Sequence, residues 1–216
     1  MEIVLVITIM LIGFALMFGV IFLVIRWQAK RAQQNGTWMA QELRLDFKRK
    51  PRKWLPQFGE PYLEGTMRGL PVQISTYTTS AGQSQQTWCQ AILRIPQNRG
   101  LKLTISQRGL LSGVTQLFSS DVVKTGDEKF DKSFVLKCNA PAFIEAALFP
   151  EMRAQFAGTW TRHGLKGSIT LNGNILQYLE QGNFANKKTC QHVVPAMGLL
   201  LDVATWVDAY NETLQS

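Results

Sequence analysis

Ile3 to Ile25 are 23 consecutive positions without a charge, closed on the far side by Arg26, Lys30 and Arg31. At about 1.5 Å rise per residue, a helix of that length reaches roughly 34 Å, enough to cross a hydrocarbon core of about 30 Å. The expectation is one membrane-spanning helix. A cleaved signal peptide would want a basic start, an apolar core of about 7 to 15 residues and a small-residue cleavage site. This chain instead opens Met1-Glu2, carries a longer core and runs straight into Arg26-Trp27.

No Asp, Glu, Lys, Arg or His interrupts the run, which argues against an ion or proton path through it. Ala15 and Gly19 make a small-x-x-x-small pair that would let a second helix approach closely. Glu2 before the span against three cations just after it sets the expected orientation, N-terminus out and the bulk of the chain cytoplasmic.

The net charge of +8 resembles a nucleic-acid signature until it is divided along the chain. Residues 1–25 carry −1, residues 26–53 carry +7 and residues 54–216 carry +2. The excess is therefore juxtamembrane, on Arg26, Lys30, Arg31, Arg44, Lys48, Arg49, Lys50, Arg52 and Lys53. Trp27, Trp38 and Trp54 lie in the same stretch, and indole rings prefer the headgroup region. Together Arg26, Trp27, Lys30, Arg31, Trp38, Lys48, Arg49, Lys50, Arg52, Lys53 and Trp54 read as a membrane-surface collar. No nucleic-acid partner is expected.

Beyond the span, Gln28 to Ala32 are good helix formers, and Asn35-Gly36 suits a helix end with Gly36 in a left-handed position. Thr37 would then cap a short helix over Trp38 to Leu45. Pro51, Pro56, Gly59 and Pro61 mark a connector. The expected organisation is a membrane helix with its extension over 1–34, a basic connector over 35–61 and one soluble domain over 62–216.

Within that domain Tyr62 to Met67 and Val72 to Tyr77 flank Arg68-Gly69 as a hairpin, with an uncharged tip over Thr78 to Thr87. Trp88 to Ile95, Leu101 to Ser106 and Ser133 to Cys138 read as further strands. A helix follows from Ala140 to Phe149, is bent or restarted by Pro150, and ends at Gly158. Ser168 to Leu171 and Ile175 to Glu180 pair around Asn172-Gly173. Val193, Met197, Leu200, Ala204, Val207 and Leu214 recur at helical spacing, predicting a long C-terminal helix from about His192. The fold class is α+β: an N-terminal transmembrane helix, then a mainly antiparallel sheet with a C-terminal helix across it.

Chemistry is less legible. Cys89, Cys138 and Cys190 are far apart with no C-x-x-C, and His163 and His192 are the only histidines. Cys190-Gln191-His192 offers two ligands where zinc needs three or four, so no metal is expected. Asp127, Glu128 and Asp131 alternate with Lys124, Lys129 and Lys132 and read as a solvated loop. No phosphate-binding, dinucleotide, nucleophile-elbow or zinc-protease motif occurs, so no cofactor, catalytic residue or small-molecule substrate is assigned.

The layout is similar to that of many bacterial envelope proteins, and the expected location is a bacterial inner membrane. The leading reading is a binding or scaffolding module held at the cytoplasmic face, with the bilayer and a membrane protein as partners. An anionic-lipid-recognising module is the alternative. A membrane-tethered hydrolase using His163 or a cysteine ranks third, and an enzyme is not the expectation.

Overall fold

The computed structural model describes residues 1–50, 59–81, 84–109 and 122–213. Arg52, Lys53 and Trp54 of the expected collar lie outside them, as do Gly82 and Gln83 of the hairpin tip and Leu214. The architecture is α+β, with a long apolar N-terminal helix, a nine-stranded antiparallel sheet and a long C-terminal helix.

Helix α1 runs without a break over Glu2–Leu43. Ile7 to Gln28 are all exposed and stand clear of the domain, and they are apolar and long enough to span a bilayer. The last turns behave differently: Met39, Ala40 and Leu43 are buried in the core. The helix end expected at Asn35-Gly36 is therefore corrected. Gly36 sits mid-helix because a Cβ there would fall into the ring of Phe47, so the glycine admits a tertiary contact instead of ending a helix. The stop is Arg44, in a left-handed conformation whose N–H returns to the helix.

Strand β1 (Asp46–Arg49) follows and pairs with β2 (Pro61–Met67), so chain read as connector is already part of the sheet. Strands β3 (Leu70–Ala81) and β4 (Ser84–Arg94) form a longer hairpin than expected, paired out to Ala81 and Ser84. Thr78 and Thr87 face each other there through their hydroxyls, 3.3 Å apart. The turn between β2 and β3 is Arg68-Gly69 with positive φ at both residues, as a type I′ hairpin requires.

The remaining strands are β5 (Leu103–Gln107), β6 (Val122–Val123), β7 (Phe134–Cys138), β8 (Ser168–Asn172) and β9 (Ile175–Gln181). The β8–β9 hairpin forms as expected, with Gly173-Asn174 between the paired Asn172 and Ile175. Sheet order is β1-β2-β3-β4-β9-β8-β5-β7-β6, so this hairpin inserts between β4 and β5. Register carries one row straight across seven strands: Leu63, Ile74, Ala91, Tyr178, Ile169, Ile105 and Leu136. Every member of the row is buried, and helices cover it.

Those helices are α2 (Glu128–Ser133), α3 (Pro141–Ala147), α4 (Pro150–His163) and α5 (Lys187–Thr213). The acidic turn read as a loop is α2, capped because the Asp127 carboxylate accepts from the N–H groups of Lys129 and Phe130. Pro150 starts α4, which passes through Gly158 and stops at Gly164 in a left-handed conformation. α5 begins five residues before His192, where the side chain of Asn186 accepts from the Lys188 N–H.

Candidate functional site

The sheet has two ends, and its registers say which elements share each. Arg49 pairs with Pro61, Tyr77 with Trp88, and Trp88 with Gln181. The end of β1, the outer β3–β4 hairpin and the β9–α5 loop therefore lie together. Two hydrogen bonds fasten this end to α1: Asn35 Nδ2 donates to the Phe184 carbonyl at 2.8 Å, and Arg49 Nη2 donates to Gln33 Oε1 at 2.8 Å. Since α1 enters from its apolar stretch on this side, this is the end nearest the bilayer when the helix spans one.

One face of α1 carries Trp27, Arg31, Gln34, Asn35 and Trp38, spaced by three and four. The Arg31 guanidinium lies 3.8 Å over the Trp27 ring, so its side chain runs back toward the apolar stretch, the direction in which helix side chains lean. Opposite this face is the start of α5. Arg31, Gln34, Asn35, Trp38, Ala185, Lys187 and Gln191 enclose a crevice of ≈ 550 Å³. Among the described residues neither Arg31 nor Lys187 forms an ion pair. Residues 181–192 contain no acid, and Lys188 adds a further exposed cation.

The expected collar therefore divides. Arg26, Lys30 and Arg31 are exposed on α1. Arg49 is engaged by Gln33, and Lys50 lies 6.0 Å from the Tyr62 ring. Lys48 pairs with Glu64, whose hydrogen bond and charge raise the lysine's pKa. Lys187, far along the chain, lines the same crevice as Arg31, and Lys188 is exposed next to it. Their only sequence signal was Asn186 ahead of Lys187-Lys188, a cap before a first helical turn. Ala15 and Gly19 sit on the exposed stretch, and among the described residues nothing beyond the local turn of α1 would meet a side chain at Gly19.

A second crevice, of ≈ 170 Å³, lies at the opposite end of the sheet beside the Arg68-Gly69 turn. Leu70, Ile95, Leu201, Ala204 and Val207 make it apolar, with Thr205 and Asp208 at its edge. Arg68 Nη1 stands 3.8 Å from Asp202 Oδ1, and Asn211 Nδ2 donates to the Gln97 carbonyl at 2.9 Å, holding the loop that forms one wall. Burial raises the Asp202 carboxyl pKa against the pull of Arg68.

Of the groups considered for catalysis, Cys89, Cys190 and His192 gather around Glu180, whereas Cys138 lies on β7 and His163 at the end of α4. Cys89, Cys138 and Cys190 are buried, and burial pushes all three thiols up, Cys190 to about 12 with Glu180 adding to the effect. A protonated thiol is a poor nucleophile. His163 is exposed at the end of α4, and His192 Nδ1 is engaged by Glu180 Oε1 at 2.7 Å. Among the described residues no group of three metal-ligating side chains is present.

Comparison with known proteins adds the fold. No family model and no curated protein matches the chain. Among solved structures, it is similar to the crystal structure of the mycobacterial trehalose monomycolate transport factor A, TtfA, with a TM-score of 0.53 and 10% identity. The likeness covers 84% of this chain and 95% of that one. At that identity it carries the α+β architecture and no site residue.

Proposed function

We propose that this is a single-pass membrane protein whose α+β domain is a binding module, held at the cytoplasmic face of a bacterial inner membrane as part of a membrane complex. The observation that carries this reading is the continuity of α1. One helix leaves the apolar stretch and ends inside the hydrophobic core, so the domain is held at a fixed height and does not swing on a linker. Its cationic end faces the bilayer, as retention of basic residues on the cytoplasmic side requires. The far end presents the apolar crevice beside α5 to a protein partner.

The thiols and histidines support no nucleophilic pair, which favours binding over hydrolysis. Similarity in fold to a transport factor agrees with a place in a membrane assembly, and its cargo is not carried over to this chain.

Gentle detergent solubilisation of the full chain tests the reading. The chain should co-elute with a membrane protein, and Thr205→Arg at the distal crevice should remove that partner without releasing the chain from membranes. A solitary monomer in gentle detergent overturns it. A protease added outside intact spheroplasts should spare the domain, and cleavage there overturns the orientation.

A further inference from the structure

We infer that the crevice between α1 and the start of α5 is a binding site for the phosphodiester of an anionic phospholipid, with Arg31 and Lys187 as its two cationic walls. The inference rests on the proposal that α1 spans the membrane. Three observations converge on it: charge, depth and shape.

The charge is uncompensated. Arg31 and Lys187 come from elements far apart in sequence, are brought to one cavity by the Asn35 to Phe184 hydrogen bond, and have no carboxylate partner among the described residues. Two unpaired cations across a cavity make a seat for an anion. Arginine's planar fork suits two phosphate oxygens, while lysine serves as a point charge.

The depth matches a headgroup. Arg31 is six residues past Ile25, about 9 Å along the axis, and its side chain returns one turn toward Trp27. That places the guanidinium in the headgroup layer, about 5 to 8 Å thick on each side of the hydrocarbon core. Trp27 lies one turn nearer the apolar stretch on the same helix face, where an indole ring suits the interface.

The shape suits a small polar group. A cavity of ≈ 550 Å³ falls in the usual range of ligand sites, and Gln34 and Gln191 add amide donors beside the cations. Asn35 is spent on the Phe184 carbonyl and acts as a positioning residue, setting the spacing of the two walls. A soluble phosphate would meet the same donors, but only a lipid delivers its phosphate at this depth with its acyl chains directed along the exposed apolar helix.

The test uses the full chain in delipidated detergent micelles, with phosphatidylglycerol, phosphatidylcholine or inorganic phosphate added, read by native mass spectrometry. The wild type should retain phosphatidylglycerol in preference to phosphatidylcholine. Arg31→Gln with Lys187→Gln should weaken that retention about 30-fold, at roughly 1 kcal/mol for each cation near an anionic surface. Arg99→Gln with Lys102→Gln, at the far end of the sheet, should leave it unchanged. Both altered positions in the crevice are exposed, so unchanged thermal unfolding should accompany the loss. Equal retention by the crevice variant overturns the site, and displacement of the lipid by inorganic phosphate overturns the lipid as its occupant. Carbonate washing of membranes reads the anchor separately: release of the wild-type chain would overturn the membrane reading itself, whereas a retained chain that binds no anionic lipid overturns only this inference.

Discussion

Glu180 Oε1 lies 2.7 Å from His192 Nδ1, joining the inner face of β9 to the second turn of α5. The other carboxylate oxygen accepts from the Tyr178 hydroxyl at 2.5 Å, and that hydroxyl in turn accepts from the Gly167 N–H. The Glu180 side chain is only 5% exposed, so each of its hydrogen bonds replaces water the site excludes. This chain of bonds holds the start of α5, and with it Lys187, against the sheet.

Removing the carboxylate leaves His192 and the Tyr178 hydroxyl without their acceptor. Glu180→Ala should lower stability by about 1 to 3 kcal/mol, as leaving buried hydrogen-bond donors unsatisfied does. Glu180→Gln keeps an acceptor and should cost less. Thermal unfolding of both variants in detergent checks the order, and equal losses would show that the carboxylate's hydrogen bonds do not hold the helix.

Gly36 and Phe47 form a contact that a larger residue cannot share. Gly36→Leu should destabilise by about 1 to 3 kcal/mol despite leucine's better helix propensity, because overpacking outweighs that gain. Adding Phe47→Ala should recover much of the loss. A double-mutant cycle in unfolding free energy reads this, and simple additivity would mean the two residues do not compete for space.

Burial, with the Glu180 charge beside it, raises the Cys190 thiol to about 12, whereas an unfolded chain's thiol titrates near about 8.5. The folded state thus keeps a proton that the unfolded state gives up. Stability from the protonated thiol is complete below the unfolded value and is lost as pH climbs from about 8.5 toward 12. Cys190→Ala should flatten that alkaline decline. Folded wild type should also resist thiol reagents near about pH 8, reacting only on unfolding.

Trp160 is buried, stacked on Phe156 at 5.4 Å between ring centroids and set edge-on to Phe134 at 5.5 Å, while among the described residues its Nε1 has no hydrogen-bond partner. Trp160→Ala should cost about 3 to 5 kcal/mol. Trp160→Phe also removes the unpaired N–H, and it should stay within about 1 kcal/mol of wild type. Chemical unfolding monitored by far-ultraviolet circular dichroism separates the two, and a large loss in the phenylalanine variant would mean ring size alone decides.

The features legible in the sequence are those written over short spans. An uncharged run of 23 residues has one economical environment, and hairpins at Arg68-Gly69 and beside Gly173 follow from backbone freedom at two residues. The α+β class and the basic bias after the span are local sums of the same kind. The unbroken α1 was not legible, because what keeps Gly36 helical is a ring from the following strand. Nor was the sheet order, since the insertion of β8–β9 between β4 and β5 is a pairing across some 80 residues whose reward is burial and whose cost is loop closure. The crevice shows the same division. Arg31 could be read from its neighbours in sequence, but Lys187 reaches it only through the fold. Sequence alone determined that a basic segment follows the uncharged run; tertiary structure decided that Lys187 meets Arg31 at one cavity, because which groups line a cavity depends on neighbours in space.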